Sequence, residues 1–363
     1  MGISTAPPQG GRLPASLVER VGTLPPRFRR EAADGFAADF ALAIDGHGFQ
    51  VEILRGACAV RTPESRFPTA SVATDVETWE ALDDGALTSI EAFLAGRVAV
   101  RGNVEHAVRL QSLFHPAARP RSVRDLEHLT LSADGHTISA YELGEGPTVM
   151  LLHGLGASKV SWLPLLSRLA ERYRVLVPDL PGHGESSKPR VNYTPPFYAA
   201  IATRILDVVG VERAALVGNS MGGRDAALPD LPVPYYARFA RILPTEIAAV
   251  PLPLRRRLVT NYIRQLFADP SRLPPGAYLA GADEFLRIYR SGRARVALLS
   301  SLRGLIRDPE RPFWSAARSI AAPTLILWGR EDRLVPVRFG RRLAAEMPAA
   351  EFRVFDGVGH VPQ

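Results

Sequence analysis

Hydrophobic positions follow two different rhythms along the chain, and this difference divides it into two halves. Residues 40–44 (FALAI) and 49–53 (FQVEI) alternate apolar and polar positions around a polar turn, which predicts a β-hairpin. We expect residues 57–61 (ACAVR) and 67–74 (FPTASVAT) to extend this hairpin into a meander. After Asp75 the apolar positions recur every three or four residues, which predicts helices. The first half is therefore predicted to be an antiparallel sheet covered by helices, a small α+β domain.

Two helices of this half have recognisable features. Thr88 and Glu91 have the spacing of a capping box, which predicts that a helix begins there. Residues 103–114 carry two neighbouring, mainly apolar stripes on one helix: Val104, Val108 and Gln111 on the first, and Ala107, Leu110 and Phe114 on the second.

The second half has a different pattern. A second hairpin is predicted shortly after residue 128, and short apolar runs then alternate with amphipathic helices. Continuous apolar runs are typical of strands that are buried on both faces. The second half is therefore predicted to be an α/β domain with a mostly parallel sheet between helices. The apolar runs lie at 148–154, 174–178 and 214–218, and the helices at 161–173 and near 197–209.

Composition indicates a globular chain and argues against nucleic-acid binding. Hydrophobic residues make up 46% of the chain and charged residues 22%. The formal net charge is +7, and nearly all basic residues are arginines, because the only lysines are Lys159 and Lys188. The arginines are scattered and form no basic face with interleaved aromatic residues. Weak contact with an anionic membrane surface stays open.

The single cysteine, Cys58, excludes an internal disulfide and a thiolate metal cluster. Residues 1–30 lack the apolar stretch of a signal peptide, and no run of about eighteen apolar residues exists to span a bilayer. These features predict a cytoplasmic protein.

The candidate chemistry lies in the second half, at the turn LVGNSMGG (216–223). Ser220 stands between Gly218 and Gly222 in a G-x-S-x-G motif that follows a strand and begins a helix, a context that exposes a nucleophilic serine. Such a serine needs a histidine as base and a carboxylate that orients it. Each should follow a later strand, and Asp332 and His360 stand at those positions.

Other polar residues near these positions are weaker candidates. Glu331 is the rival acid, His183 is the rival base, and Asp356 is interpreted as a turn residue. The backbone N–H groups of Leu155 and Met221 are the predicted donors of an oxyanion hole. His153 is expected to orient that loop.

These motifs give the second half a strong resemblance to the α/β-hydrolase superfamily. LLHGLGAS, VPDLPGHGES, GNSMGG, LWGREDRLVP and GVGHVP appear in that order. The resemblance implies a Ser220–Asp332–His360 triad, a helical cap at about residues 235–312, and no cofactor or metal. GNSMGG is similar to the motif of enzymes that hydrolyse carbon–carbon bonds in ring-cleavage products, and esterases and lactonases share it.

The first half resembles sterol-carrier-protein-like lipid-binding domains. The resemblance rests on residues 85–114, where Gly96 and Arg97 end one helix and RGN (101–103) precedes the last one. It implies a tunnel for an acyl or sterol-like ligand. The side chains expected along it are Trp79, Phe93, Leu110 and Phe114.

Together the patterns predict a flexible arm (1–29), a lipid-binding domain (30–115), a flexible linker (116–127) and a hydrolase domain (128–363). The prolines at 229, 232 and 234 stop the helix after Ser220 early. No strand-like apolar run follows before the cap region, so the sixth strand of the superfamily is expected to be missing. The closing C-terminal helix is expected to be missing as well.

The leading functional hypothesis is a serine hydrolase for an apolar ester, thioester or lactone with a fused lipid-binding module. The alternatives are a carbon–carbon bond hydrolase and a lipid carrier whose hydrolase half is inactive. The predicted partner is an apolar small molecule or lipid, without nucleic acid. No feature of the sequence sets an oligomeric state.

Overall fold

The structure is a computed structural model that describes residues 15–61, 67–226, 248–249, 255–273, 277–307 and 310–363. Its strands are β1 Ala38–Ile44, β2 His47–Leu54, β3 Ala57–Arg61, β4 Ala70–Thr74, β5 Val98–Gly102, β6 Glu127–Ala133, β7 His136–Leu143, β8 Thr148–Leu152, β9 Arg174–Pro178, β10 Ala214–Gly218, β11 Thr324–Gly329 and β12 Ala350–Phe355. Its α-helices are α1 Ala15–Gly22, α2 Val76–Asp84, α3 Ser89–Leu94, α4 Val104–Ser112, α5 Leu163–Ala170, α6 Pro195–Val208, α7 Met221–Ala226, α8 Arg256–Gln265, α9 Ala277–Ile288, α10 Gly292–Arg307, α11 Glu310–Ser319 and α12 Arg338–Glu346.

The N-terminal domain contains a five-stranded sheet in the order β3-β2-β1-β4-β5. The predicted hairpin is present, with Leu42 opposite Phe49 and Phe40 opposite Val51 in an antiparallel register. All four of these side chains are buried, as the alternating pattern predicts. The helices lie on the sheet, and the α+β class is confirmed.

The predicted meander is wrong at β4. This strand pairs in parallel with β1, not with β3, so the sheet is mixed. Ala70 and Val72 on β4 are buried, whereas no residue of β3 is fully buried. Burial therefore favours the position of β4 beside the central strand β1. Next to the edge strand β3, the apolar side chains of β4 would be exposed to solvent.

The surroundings of helix α4 explain why its sequence carries two stripes. Asn103 caps it by accepting a hydrogen bond from the His106 N–H at 3.0 Å. Ala107 and Leu110 face the core of the N-terminal domain. Val104 and Val108 face a second core, which is shared with the C-terminal domain.

The N-terminal arm is not loose where the structure describes it. Leu17 and Val21 of α1 are buried in the core of the N-terminal domain. Arg20 of α1 forms an ion pair with Asp83 at 3.0 Å. The prediction of a flexible arm over residues 1–29 is therefore wrong for residues 15–29, and residues 1–14 lie outside the described part.

The linker is also held in place. The Arg119 side chain pairs with Asp125 at 2.6 Å and donates to the Gly85 carbonyl at 2.8 Å. The Gly144 N–H donates to the Val123 carbonyl at 2.6 Å. Residues 116–127 thus make hydrogen bonds to both domains, and the expectation of a flexible linker is wrong. Prolines and charged residues predict a loop, but they do not show whether the loop is anchored.

The C-terminal domain contains a five-stranded sheet in the order β6-β7-β9-β8-β10. Strands β8, β9 and β10 are parallel, and the β6–β7 hairpin adds antiparallel strands at one edge. Strands β11 and β12 form a separate, parallel two-stranded sheet. The predicted α/β class is confirmed.

Within the described residues, no strand joins the two sheets of the C-terminal domain. The predicted loss of a sixth strand falls on residues 227–247, which lie outside them. Leu216 on β10 and Leu325 on β11 are 49% and 53% exposed, which is unusual for apolar residues of strands in a parallel sheet. Residues 356–363 contain no helix.

The two domains share a hydrophobic core. Ile90, Val104 and Val108 of the N-terminal domain pack in one cluster with C-terminal residues that include Trp162 and Ala280. Ala280 belongs to α9, which also contacts β5. The domains therefore form a continuous packed unit.

Candidate active site

Ser220 lies at the sharp turn between β10 and α7. Its φ is +54°, a left-handed conformation that costs a non-glycine residue about 1–2 kcal/mol. A Cβ on Gly222 would overlap the Leu152 carbonyl, and one on Gly218 would overlap the Gly223 backbone nitrogen. The two flanking glycines are therefore required by close backbone packing, and the turn presents the serine at the end of the strand, as its motif predicts.

Asp332 and His360 come together although 27 residues separate them in sequence. The Nδ1 atom of His360 lies 2.8 Å from Oδ2 of Asp332. The other carboxylate oxygen, Oδ1, accepts hydrogen bonds from the N–H groups of Leu334 at 2.9 Å and Val335 at 2.8 Å. These two bonds fix the carboxylate, so that it can orient the imidazole.

Two hydrogen bonds hold the backbone of His360 itself. The His360 N–H donates to the Leu266 carbonyl at the end of α8 at 2.7 Å. The Asn219 side-chain amide donates to the His360 carbonyl at 3.2 Å. Asn219 directly precedes Ser220, so the serine turn and the histidine loop are adjacent. Sequence reasoning missed both anchors, because a hydrogen bond to a backbone carbonyl leaves no signature in the sequence.

Each of the two predicted oxyanion donors belongs to a segment next to Ser220. Met221 is the first residue of α7, immediately after Ser220. Leu155 belongs to the loop after β8, and a Cβ on neighbouring Gly154 would lie 3.3 Å from the Ser220 Cβ.

His153 anchors the loop that carries Leu155. Its Nδ1 lies 2.9 Å from the Gly154 carbonyl, and its Nε2 accepts from the Leu180 N–H at 3.0 Å. Burial lowers the pKa of His153, although Asp179 acts in the opposite direction. The ring is therefore neutral, with its proton on Nδ1, and it ties the loops after β8 and β9 together.

The rival acid and base have other positions. The Glu331 carboxylate accepts from the Val358 N–H at 3.1 Å and so supports the histidine loop. His183 is fully buried, its ring centroid lies 5.1 Å from that of His153, and burial lowers its pKa to about 3. Asp356 forms an exposed ion pair with Arg330. None of the three makes the contact that joins Asp332 to His360.

Apolar side chains of the cap lie over the loop that carries Leu155. A Cβ on Gly156 would lie 3.3 Å from Cε2 of Phe285 on α9 and 3.8 Å from Cδ1 of Leu298 on α10. The residues next to this side of the candidate site are thus hydrocarbon. Among the described residues, no group of three or more His, Cys, Asp or Glu side chains is arranged to hold a metal ion.

Comparison with known proteins decides the family. The model of the alpha/beta hydrolase family matches residues 149–363, more than half of the chain. The chain belongs to this family. The model of the SCP-2 sterol transfer family matches residues 24–115, so the α/β-hydrolase domain follows a sterol-carrier-like domain.

Relatives of the hydrolase half include enzymes with different substrates. An uncharacterized protein of Mycobacterium tuberculosis is 29% identical over 67% of this chain and 79% of its own length. A 2-hydroxy-6-oxo-6-phenylhexa-2,4-dienoate hydrolase of Burkholderia cepacia is 28% identical over 61% of this chain and 84% of its own. Among solved structures, a bacterial membrane phospholipase A is 27% identical, with a TM-score of 0.52, over 66% of this chain and 81% of its own.

The sterol-carrier-like domain of this hydrolase contains an apolar cavity of about 70 Å³. It lies between the sheet and helices α2, α3 and α4. The four side chains predicted for a lipid tunnel all line it: Trp79, Phe93, Leu110 and Phe114. The lining also includes Arg27 and Asp83, which form an ion pair at 2.5 Å. Phe93 and Val100 also pack against the core shared with the hydrolase domain.

A buried charged cluster crosses the domain interface. Lys159, which directly follows the oxyanion loop, is fully buried. Its Nζ lies 2.7 Å from Glu105 Oε1 on α4, 2.7 Å from Asp179 Oδ2 and 3.0 Å from Ser139 Oγ. The three ammonium protons thus have three oxygen partners, a geometry that suits lysine better than the planar fork of arginine. Sequence reasoning missed this cluster. A signal was present, because lysine is rare in this chain and a lysine at position 159 indicates a site where arginine does not suffice.

No helix within the described ranges is long and apolar enough to cross a membrane.

Proposed function

We propose that this α/β-hydrolase is a serine hydrolase for an apolar ester, thioester or lactone. In this proposal the Ser220 hydroxyl attacks the carbonyl carbon, and His360 takes the hydroxyl proton. His360 then gives the proton to the leaving alcohol or thiol, and an acyl group remains on Ser220. Water, activated by the same histidine, hydrolyses this acyl-enzyme and regenerates the serine.

One observation carries the proposal, namely the 2.8 Å contact between His360 Nδ1 and Asp332 Oδ2. A carboxylate at this position stabilises the proton on Nδ1, which leaves the lone pair of Nε2 for the serine proton. Asp332 also stabilises the positive charge that develops on the imidazole during attack. The second carboxylate oxygen is occupied by the N–H groups of Leu334 and Val335, so the orientation of Asp332 is fixed before substrate binds.

The backbone N–H groups of Leu155 and Met221 are the proposed oxyanion donors. Met221 begins α7, where unpaired N–H groups and the helix dipole favour negative charge. Leu155 lies on the loop that His153 ties to Leu180. One such donor contributes about 2.7–4 kcal/mol to transition-state stabilisation.

The contacts of the cap support an apolar substrate. Phe285 and Leu298 lie beside Gly156 on the oxyanion loop, so an acyl chain next to the reacting carbonyl would contact hydrocarbon. The phospholipase among the structural relatives is named for an ester of this kind.

A series of p-nitrophenyl esters with increasing acyl length tests the proposal. We expect turnover by the full chain, with kcat/KM rising with chain length, and loss of at least 10³-fold in Ser220→Ala. Ser319→Ala changes an exposed serine on α11 and serves as the matched control, which should keep full activity. Equal turnover by Ser220→Ala and the control would rule the proposal out.

Carbon–carbon bond hydrolysis is the second candidate, and the similarity to the Burkholderia cepacia dienoate hydrolase favours it. The same serine, acid and histidine would serve a vinylogous diketone. Val361 follows His360, whereas that branch often has an aromatic residue there, so we rank ester hydrolysis first. Loss of the yellow colour of a ring-cleavage product, with no turnover of esters, would reverse the ranking.

We also propose that the sterol-carrier-like domain binds one acyl or sterol-like ligand. Support comes from the apolar cavity, whose lining contains Trp79, Leu110 and Phe114. The third hypothesis, a lipid carrier with an inactive hydrolase half, predicts binding here without turnover of any ester. The single cysteine is compatible with the predicted cytoplasmic location.

A further inference from the structure

The outer face of cap helix α8 combines exposed apolar and basic side chains. Val259 is buried on the inner face of the helix, which packs on α9. Leu258 and Tyr262 are one helical turn apart at the edge of this inner face, about 100° and 60° around the helix from Val259, and they are 64% and 47% exposed. Two large apolar or aromatic side chains thus form an exposed pair on the surface of the cap.

Two arginines lie next to this pair. Arg255 and Arg257 are exposed. Arg257 directly precedes Leu258, about 100° around the helix from it, and Arg255 is the N-cap residue of α8. No acidic residue occurs between positions 255 and 268. We call these two arginines with Leu258 and Tyr262 the α8 outer face.

The arginines at the start of α8 do not serve the helix itself. The N-terminal end of a helix favours negative charge, and the first turn of α8 contains no acidic residue. Arg256 is compensated by an ion pair with Asp283 at 2.5 Å. Within the described part of the cap, Arg255 and Arg257 make no ion pair. Their position is unfavourable for the helix but favourable for binding a negatively charged surface.

The α8 outer face lies close to the candidate active site. The helix ends at Gln265, and the next residue, Leu266, accepts the His360 N–H at 2.7 Å. A surface bound by α8 would therefore lie near the histidine loop of the candidate site.

We propose that the α8 outer face docks on an anionic phospholipid surface. The arginines would contact the lipid phosphates, and Leu258 and Tyr262 would enter the boundary between headgroups and acyl chains. The combination of an exposed apolar pair with neighbouring arginines is the observation that selects a membrane over a soluble anion. The inference goes beyond the proposed hydrolysis and does not depend on it.

Co-sedimentation with lipid vesicles tests this inference. We expect the full chain to bind vesicles of phosphatidylcholine mixed with phosphatidylglycerol, and to bind pure phosphatidylcholine at least tenfold more weakly. Arg255→Gln/Arg257→Gln should lower the partition coefficient on the anionic vesicles by about 10- to 30-fold. Leu258→Ser should lower it severalfold at the same net charge.

The control removes the same charge from another exposed helix. Arg338 and Arg341 lie on α12 and are exposed, so Arg338→Gln/Arg341→Gln changes the net charge equally. We expect this control to bind vesicles within about twofold of the parent chain, and Ser220→Ala to bind as the parent does. Because the readout is sedimentation, a failure of the proposed hydrolysis would leave this result unchanged.

Three outcomes would overturn the proposal. The first is no binding to anionic vesicles. The second is an equal loss in the α8 and α12 double variants, which would assign the attraction to net charge alone. The third is unchanged binding by both α8 variants, which would leave this face to a different partner, such as a protein.

Discussion

Lys159 Nζ lies 2.7 Å from Glu105 Oε1, so one fully buried ammonium group joins the hydrolase domain to the sterol-carrier-like domain. Burial by itself lowers the pKa of Lys159, but Asp179 and Glu105 together raise it above its ordinary value. Burial raises the pKa of Glu105, and Lys159 opposes this shift. The cation is thus held by two carboxylates from two domains, next to the loop that carries Leu155.

Removing this cation should destabilise the whole chain. Lys159→Met leaves Glu105 and Asp179 buried without their partner, and we expect a loss of about 3–5 kcal/mol in the free energy of unfolding. Urea unfolding followed by circular dichroism measures it. Lys188, the only other lysine, donates to the carbonyls of Gly184 and Ser186, so Lys188→Met should cost only about 1–2 kcal/mol. Equal losses in the two variants would contradict a special role for the pair across the interface.

The shared core predicts that the hydrolase half does not fold well alone. Residues 120–363 without the N-terminal domain would expose part of the cluster that Trp162 and Ala280 share with Ile90 and Val104. We expect this fragment to lose cooperative thermal unfolding and to bind a hydrophobic dye. A sharp unfolding transition at the temperature of the full chain would show that the shared core contributes little.

Filling the apolar cavity of the N-terminal domain is therefore a better test of substrate delivery than deleting the domain. Ala107 lines the cavity and is buried, so Ala107→Phe places a ring in a space of about 70 Å³. If the cavity supplies long-chain substrate, the apparent KM for long-chain esters should rise severalfold while short-chain esters are unaffected. Ala199→Phe on the exposed side of α6 is the control. An equal effect of Ala107→Phe on both ester classes would mean that the cavity does not feed the site.

Acid should unfold the chain through its buried histidines. Burial lowers the pKa of His106 to about 4, of His128 to about 2 and of His183 to about 3. Between pH 6.5 and about pH 4, these histidines bind protons in the unfolded chain but stay neutral in the folded chain. The free energy of unfolding should therefore fall by about 1.4 kcal/mol per pH unit for each histidine.

The fall should begin near pH 6.5 and continue towards pH 4, where His106 starts to bind its proton in the folded state. Unfolding curves measured between pH 8 and pH 5 test this expectation, and His106→Gln should make the decline less steep. A free energy of unfolding that stays constant over this range would contradict neutral buried histidines.

Asn219 should act as a positioning residue for the candidate site. Its side-chain amide holds the His360 carbonyl at 3.2 Å. Asn219→Ala should lower kcat by about 10- to 100-fold with little change in KM, since a misplaced histidine affects the reaction more than binding. Thermal unfolding provides the check on folding, and an unchanged kcat would show that the loop is held well enough without the Asn219 amide.

The sequence predicted the parts of the site that local patterns encode. Ser220, Asp332 and His360 each follow a strand, so their motifs could be placed without knowledge of tertiary packing. The parallel pairing of β4 with β1, the anchored linker and the Lys159–Glu105 pair depend on contacts between distant segments. Such contacts leave no periodicity in the sequence, and only the double stripe of α4 indicated that this helix is covered on two sides.

Labelling by a fluorophosphonate probe, with the modified residue identified by mass spectrometry, tests the central proposal most directly. We expect one label per chain on Ser220, none on Ser220→Ala, and a rate reduced by roughly 10³- to 10⁴-fold in Asp332→Asn, because the histidine then loses its orienting charge. An unlabelled chain, or equal labelling of Ser220→Ala, would contradict the account and leave a lipid-binding protein with an inactive hydrolase domain.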